Sequence, residues 1–156
     1  AKLGDFGCAR VAAREGEDAT LSVAGTLPYM ARELLLDPRP PPTVTVLAAV
    51  DVCALGRVVN EAATGEVPWA LAHDAVLDAE VRGGELPYGL MDNAEDTIPP
   101  GMERAELRAA LRALVKRCCD RDWTRRPRAE EVVRDLEALP GLLQRGAEGA
   151  GERKQA

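Results

Sequence analysis

Between residues 49 and 64 apolar side chains follow one another almost without interruption: Val50, Val52, Cys53, Leu55, Val58, Val59, Ala62 and Ala63. Wound at helical pitch they cover nearly the whole circumference, which predicts a helix over 49–64 buried on most sides. Gly65 supplies a stop and Pro68 bars continuation. A cleaner amphipathic helix follows, with Leu107, Leu111, Leu114, Val115 and Cys118 on one stripe at i, i+4, i+7, i+8 and i+11. A last helix is predicted from Ala129 to Leu139, with Val132, Val133 and Leu136 inward and Pro140-Gly141 closing it. A weaker helix fits 71–82, ending at Gly83-Gly84. A short one fits Tyr29 to Leu36, stopped by Asp37-Pro38 and the Pro40-Pro41-Pro42 run. Ala1 to Gly4 is compatible with the end of a strand. Residues 8–28 lack a period and read as a long loop. Residues 85–101 form a long connection, and the chain from 140 onward is a Gly-, Glu- and Lys-rich tail expected to be mobile. The expected architecture is mainly α, several helices around one central buried helix with minimal β structure.

Composition narrows the classes. Of 156 residues, 46% are hydrophobic and 29% charged, which is globular rather than disordered. Twenty Lys plus Arg against 26 Asp plus Glu give a net charge of −6, the wrong balance for a nucleic-acid binder. No stretch approaches the ~20 apolar residues that span a bilayer, so neither membrane nor nucleic acid is expected as a partner. No basic start leads into an apolar run as a secretory signal would. Cys8, Cys53, Cys118 and Cys119 show no zinc-ligand spacing, and His73 is the only histidine. The cysteines read as free thiols in a reducing, intracellular and cytoplasmic setting. His73 and the Cys118-Cys119 pair read as packing residues, and Arg121 to Arg128 as a solvated loop around Arg126. Because the chain opens on Ala1 in mid-element, it reads as a segment of a longer protein or as a gene model missing its beginning.

Chemistry enters at Asp5-Phe6-Gly7, where a carboxylate beside a flexible glycine suits a Mg²⁺ ligand. Alone the triplet is weak, but four landmarks follow it in order. Gly25-Thr26-Leu27-Pro28-Tyr29-Met30-Ala31-Arg32-Glu33 resembles the end of a protein-kinase activation segment. Asp51-Val52-Cys53-Ala54-Leu55-Gly56 resembles the start of the kinase's central helix, and Gly65-Glu66-Val67-Pro68-Trp69 its exit. Ile98-Pro99-Pro100-Gly101, Cys118-Cys119-Asp120 and Arg126-Pro127 resemble the last third of that lobe. The resemblance, to the C-terminal lobe of a eukaryotic-type protein kinase of the Ser/Thr or tyrosine-kinase-like group, covers residues 1–139. It implies an activation segment at 5–33 and lobe helices over 49–139.

The resemblance implies roles. Asp5 would hold Mg²⁺, with Phe6 and Gly7 beside it at the ATP site. Thr26 would hydrogen-bond the catalytic aspartate, favouring Ser/Thr substrates. Thr20 and Ser22 lie where family members are often phosphorylated, and a phosphate there would order the loop if an arginine faces it. Glu33 and Arg126 would form an ion pair across the lobe. Asp51, in the first turn of the helix predicted to start at 49, would gain ~0.5 kcal/mol from the helix dipole. In the family it also accepts backbone hydrogen bonds from the catalytic loop. Three departures stand out. Arg32 replaces the family's proline, which should loosen the turn. Cys53 and Cys119 replace large aromatics, which risks voids. The stretch from Glu33 to Asp51 is longer than usual, at small cost.

The 156 residues contain neither His-Arg-Asp nor Gly-x-Gly-x-x-Gly. A general base, a nucleotide lysine and a phosphate loop are all needed for phosphoryl transfer, and loss of the base alone costs about 10²–10⁴ in rate. The expected function is therefore ATP- and Mg²⁺-dependent protein phosphorylation, in a lobe inactive by itself. Its partners would be a protein substrate and either the N-lobe or another protein covering an open apolar face. A kinase-derived, pseudokinase-like interaction module is the alternative, and an unrelated helical bundle the remaining one. With its central helix open on one face, the isolated chain is expected to be poorly soluble or partly molten.

Overall fold

A computed structural model describes residues 25–70, 72–87 and 105–139, together with positions 4, 7 and 9. The strand end expected at 1–4, the loop expected at 8–28, the connection over 85–101 and the tail from 140 lie wholly or largely outside the described residues. Four α-helices are described: α1 (Val44–Thr64), α2 (Asp74–Gly83), α3 (Ala105–Cys118) and α4 (129–139). Among the described residues there is no strand, and no helix is long and apolar enough to cross a membrane.

Helix α1 starts at Val44, not at 49. The proline run cannot be helical, and Thr43 directly after it caps the helix by accepting a hydrogen bond from the Val46 amide at 3.3 Å. Part of the stretch from Glu33 to Asp51 is thus the first turns of α1. At the other end Gly65 takes the left-handed conformation, φ 77°, and its amide reaches the Glu61 carbonyl at 2.7 Å. The earlier start removes Asp51 from the first turn. It sits in the helix interior, where the dipole no longer favours a carboxylate.

The helix is also less enclosed than its composition suggests. Val46, Ala49, Val52, Cys53, Gly56, Arg57, Asn60 and Ala63 are buried, whereas Leu55 is 38% and Val58 48% exposed. Helix α3 crosses the buried face and brings Leu107, Leu111, Val115 and Cys119 against Cys53 and Ala63. A second cluster joins Val52, Leu114 and Cys118 to Val132 and Leu136 of α4. Val133, expected inward, is 51% exposed, because α4 packs on one side only and that side is taken by Val132 and Leu136. Arg117 of α3 pairs with Asp135 of α4 at 2.5 Å on the surface.

Helix α2 buries Leu77 and Val81 against Trp69, with Leu27 and Leu35 packed on the same cluster. His73 is exposed at its N-terminus and caps nothing with its side chain, so it is not a packing residue. The helix expected at 29–36 is instead a pair of 3-10 turns, Leu27–Tyr29 and Arg32–Leu34, with Met30 and Ala31 extended between them. The reason is a competing donor. Arg57 of α1 takes the Pro28 and Met30 carbonyls that a continuous helix would use internally.

Candidate functional site

The segment from Thr26 to Glu33 buries Met30 and Ala31 and is held in shape by α1 and by Arg126. The Arg126 and Glu33 side chains are 1% and 2% exposed, and Nη2 of Arg126 donates to Oε1 of Glu33 at 2.5 Å. The same guanidinium donates from Nε to the Asp120 carbonyl and from Nη1 to the Ala49 carbonyl, each at 2.9 Å. One cation therefore ties together the segment before α1, α1 itself and the turn after α3. Its placement follows from local structure. Asp122 caps the 3-10 turn Trp123–Arg125 through its side chain, and Arg126 emerges extended from that turn. Asp120, Asp122 and Thr124 stabilise the turn among themselves, the Asp122 carboxylate accepting from the Thr124 amide and hydroxyl at 3.0 and 2.6 Å. These bonds hold the Asp122 carboxyl below the usual carboxylate range. Around the buried Arg126, Arg121, Arg125 and Arg128 are exposed, as the sequence predicts.

Glu33 lies in the second 3-10 turn, closed by the Leu34 amide on the Ala31 carbonyl at 3.1 Å and the Leu35 amide on the Arg32 carbonyl at 2.9 Å. Arg32 in place of proline thus leaves the turn closed. Ala31, fully buried, precedes it in the extended region.

A second anchor went unnoticed in the sequence. Arg57 is 2% exposed in the middle of α1. Its Nη1 donates to the Met30 carbonyl and, at 3.3 Å, to that of Pro28, and its guanidinium lies 4.8 Å from the Trp69 ring centroid. One turn on, Glu61 accepts from the Tyr29 hydroxyl at 2.7 Å, which raises the phenol above its ordinary range. Both sides of Tyr29 are therefore latched to successive turns of α1. The available signal was a cation, Arg57, inside an otherwise apolar helical run.

The remaining predicted residues fall differently. Thr26 is exposed; its carbonyl accepts from the Tyr29 amide at 2.9 Å while its hydroxyl caps nothing. Asp51 is exposed on the open face of α1, away from the Glu33–Arg126 pair, and burial of its surroundings pushes its carboxyl up. Gly7 is exposed. Asp5, Phe6, Thr20 and Ser22 lie outside the described residues. Among the described residues no group of three or more His, Cys, Asp or Glu could hold a metal ion.

The family described as protein kinase domain matches residues 1–136. The L-type lectin-domain containing receptor kinase S.1 of Arabidopsis thaliana is 34% identical over 141 residues, 89% of this chain and 21% of that protein. The serine/threonine-protein kinase chk-1 of Caenorhabditis elegans is 40% identical over 77 residues, 47% of this chain and 14% of that one. The serine/threonine-protein kinase SSK22 of Saccharomyces cerevisiae is 38% identical over 90 residues, 57% of this chain and 6% of that one. The chain thus spans about a fifth or less of the length of these curated relatives. With a helical, C-lobe-like architecture whose Glu33 and Arg126 meet across 93 positions of sequence, the chain belongs to the protein kinase domain family.

Proposed function

We propose that this chain is the C-terminal part of an ATP- and Mg²⁺-dependent protein kinase directed at serine and threonine, with residues 1–139 as the partial kinase domain. The observation that carries the reading is the anchoring of Thr26–Glu33 by two buried arginines, because a loop that positions a protein substrate needs a rigid support. The relatives' own names, receptor kinases and serine/threonine-protein kinases, favour the same class.

In this reading Asp5 holds Mg²⁺ with Phe6 and Gly7 beside it, and the metal supplies charge neutralisation on the transferred phosphate. Thr26 offers an uncommitted hydroxyl beside the substrate, where it orients the catalytic aspartate. Asp51 faces outward with Leu55 and Val58, the side of α1 on which family members carry the catalytic loop. Thr20 and Ser22 are the sites at which phosphorylation would regulate the loop. The 156 residues alone transfer no phosphate, since the general base and the nucleotide lysine are not among them. A reducing cytoplasmic setting suits the three buried free cysteines.

The test compares phosphate transfer from labelled ATP to a mixed peptide library. The 156-residue chain should be inactive. The product of a longer reading frame carrying the lysine and His-Arg-Asp motifs should label serine and threonine. Phosphotyrosine as the main product would overturn the specificity. A start codon directly before Ala1 would favour the second reading, an interaction module docking through the open Leu55 and Val58 face.

A further inference from the structure

Cys53 and Cys119 occupy the two places where the resemblance leads one to expect large aromatics, and the structure brings them together. Cys53 is on the buried face of α1 and Cys119 directly follows α3; they are 2% and 5% exposed and belong to one core cluster. The Cys119 thiol donates to the Cys53 carbonyl oxygen at 3.6 Å, and the two residues belong to the same cluster around the α1–α3 crossing. The approach depends on Gly56, one turn along the same face of α1. A Cβ there would meet Cys118 Cβ at 2.6 Å and Cys119 Sγ at 3.0 Å, so only glycine lets the end of α3 settle this close. Cys118 shares the layer but faces the other cluster, with Val52, Leu114 and Val132.

We propose that Cys53 and Cys119 are a thiol–disulfide switch that joins α1 to the end of α3 in response to peroxide.

The charges around the pair divide the labour. Arg57 and Arg126 are buried cations, Glu33 is the one buried carboxylate among the described residues, and Cys53 feels all three. The neighbouring Cys119 thiol, helped by the two guanidiniums, lowers the Cys53 thiol from 9.0 to about 7, which favours it as the attacking sulfur. Cys119, the donor, is raised, and burial pushes Cys118 up to about 11, which leaves it inert. The Cys53 thiolate attacks one oxygen of hydrogen peroxide, forming a sulfenic acid and releasing hydroxide. The Cys119 sulfur then displaces the sulfenic hydroxyl, which leaves as water with the Cys119 proton. In sum two thiols and one peroxide give one disulfide and two waters. Burial makes the reaction depend on opening of the α1–α3 seam, so it runs slower than at an exposed thiol. The product staples the helix that anchors the substrate-loop segment to the turn that presents Arg126. The inference stands on the thiol geometry and does not require the chain to be a kinase.

The experiment treats the whole chain, carrying Cys8→Ser to remove the one cysteine outside the described residues, with hydrogen peroxide, blocks remaining thiols with iodoacetamide, and maps non-reduced peptides by mass spectrometry. A Cys53–Cys119 linked pair that is lost on reduction, with Cys118 alkylated, is the expected result. The rate of linkage should rise as pH increases through about 7. In Cys119→Ser, dimedone should label Cys53; in Cys53→Ser, Cys119 should stay unoxidised. A Cys118–Cys119 linkage, linkage only after the chain is unfolded in urea, or recovery of all three thiols alkylated would each overturn the proposal. The linkage outcomes are read with Cys53 and Cys119 both unmutated, so they decide the proposal even if Cys53→Ser or Cys119→Ser folds poorly.

Discussion

Replacing Arg126 by alanine removes three bonds at once, and the geometry sets how much each matters. Glu33 would remain 2% exposed with its charge uncompensated, and its Oε2 already lacks a hydrogen-bond partner. Breaking a buried ion pair from one side costs ~3–5 kcal/mol for that reason. The Ala49 carbonyl belongs to α1 and loses only an extra donor. The Asp120 carbonyl is half-buried and can recruit water, so the two together add at most about 1–2 kcal/mol. The total, ~4–7 kcal/mol, approaches the whole stability of a small domain. Glu33→Gln keeps the shape and one acceptor while Arg126 retains both carbonyls, so its loss should be smaller, about 1.5–3 kcal/mol. Arg125→Ala is the control: its contact with Asp122 is 3.9 Å long and its side chain is 74% exposed, so it should move stability by less than about 0.5 kcal/mol. Urea unfolding followed by circular dichroism reads the order directly, and the double variant should fall short of the sum of the singles by more than about 0.5 kcal/mol. Equal, small effects for Arg126→Ala and Arg125→Ala would refute the reasoning and detach the Glu33 segment from the lobe.

Four further outcomes follow from the same structure. Arg57→Met should preserve the volume of α1 but release the Pro28 and Met30 carbonyls and the contact with Trp69. Amide hydrogen exchange over 26–31 should rise while that of α3 stays unchanged, and equal protection of 26–31 would count against the anchor. Gly56→Ala, despite its higher helix propensity, should destabilise by about 1–3 kcal/mol in thermal unfolding, because the new methyl would overlap Cys118 Cβ at 2.6 Å. Arg32→Pro should be tolerated within about 1 kcal/mol, since the residue starts a 3-10 turn after an extended Ala31; aggregation of the purified variant would contradict this. Asp51→Asn should stabilise at neutral pH and do nothing in acid. The folded-state pKa of Asp51 is raised, so ionisation works against folding as pH climbs through that value, and a pH series of melting temperatures in which the variant never exceeds the parent would refute the assignment.

What the sequence disclosed and what it hid have separate physical causes. The long-range pair Glu33–Arg126 was legible because both residues sit inside motifs whose order along the chain survives without any coordinates. The inward stripe of α3 was legible because Leu107, Leu111, Leu114, Val115 and Cys118 all turn to the core, against α1 and α4, and alternate with charges. Helix α1 misled in both directions. Its start was masked because apolar periodicity does not register Thr43 as a cap, and its burial was overstated because composition is blind to which side has a neighbour. Leu55 and Val58 are as apolar as Val52, yet no described element covers them. The 3-10 pair at 27–34 could not be foreseen from local propensity, since the donor that prevents a helix there lies 27 residues downstream of Met30. Val133 and His73 failed for the simpler reason that a short helix packed on one side keeps only one stripe in the core.

Net charge within the core connects these features. Buried charged groups among the described residues are Glu33, Arg57 and Arg126, two cations against one carboxylate. Burying an excess positive charge is expensive unless polar groups or a titrating acid compensate it. The structure uses both. Four backbone carbonyls, those of Pro28, Met30, Ala49 and Asp120, turn toward the two guanidiniums, and the Trp69 ring lies over one of them. The acid is Cys53, whose thiol is lowered first by the neighbouring Cys119 and then by the same two cations. The carbonyls of Pro28 and Met30 can both point at Arg57 only if the 3-10 turn stops at Tyr29 and the chain runs extended through Met30 and Ala31, so the compensation of a core charge fixes the path of the surface segment. A single electrostatic requirement inside α1 thereby shapes Thr26–Glu33 and activates the sulfur beside it. Neutralising Arg57 should therefore loosen that segment and raise the Cys53 thiol toward its ordinary range together.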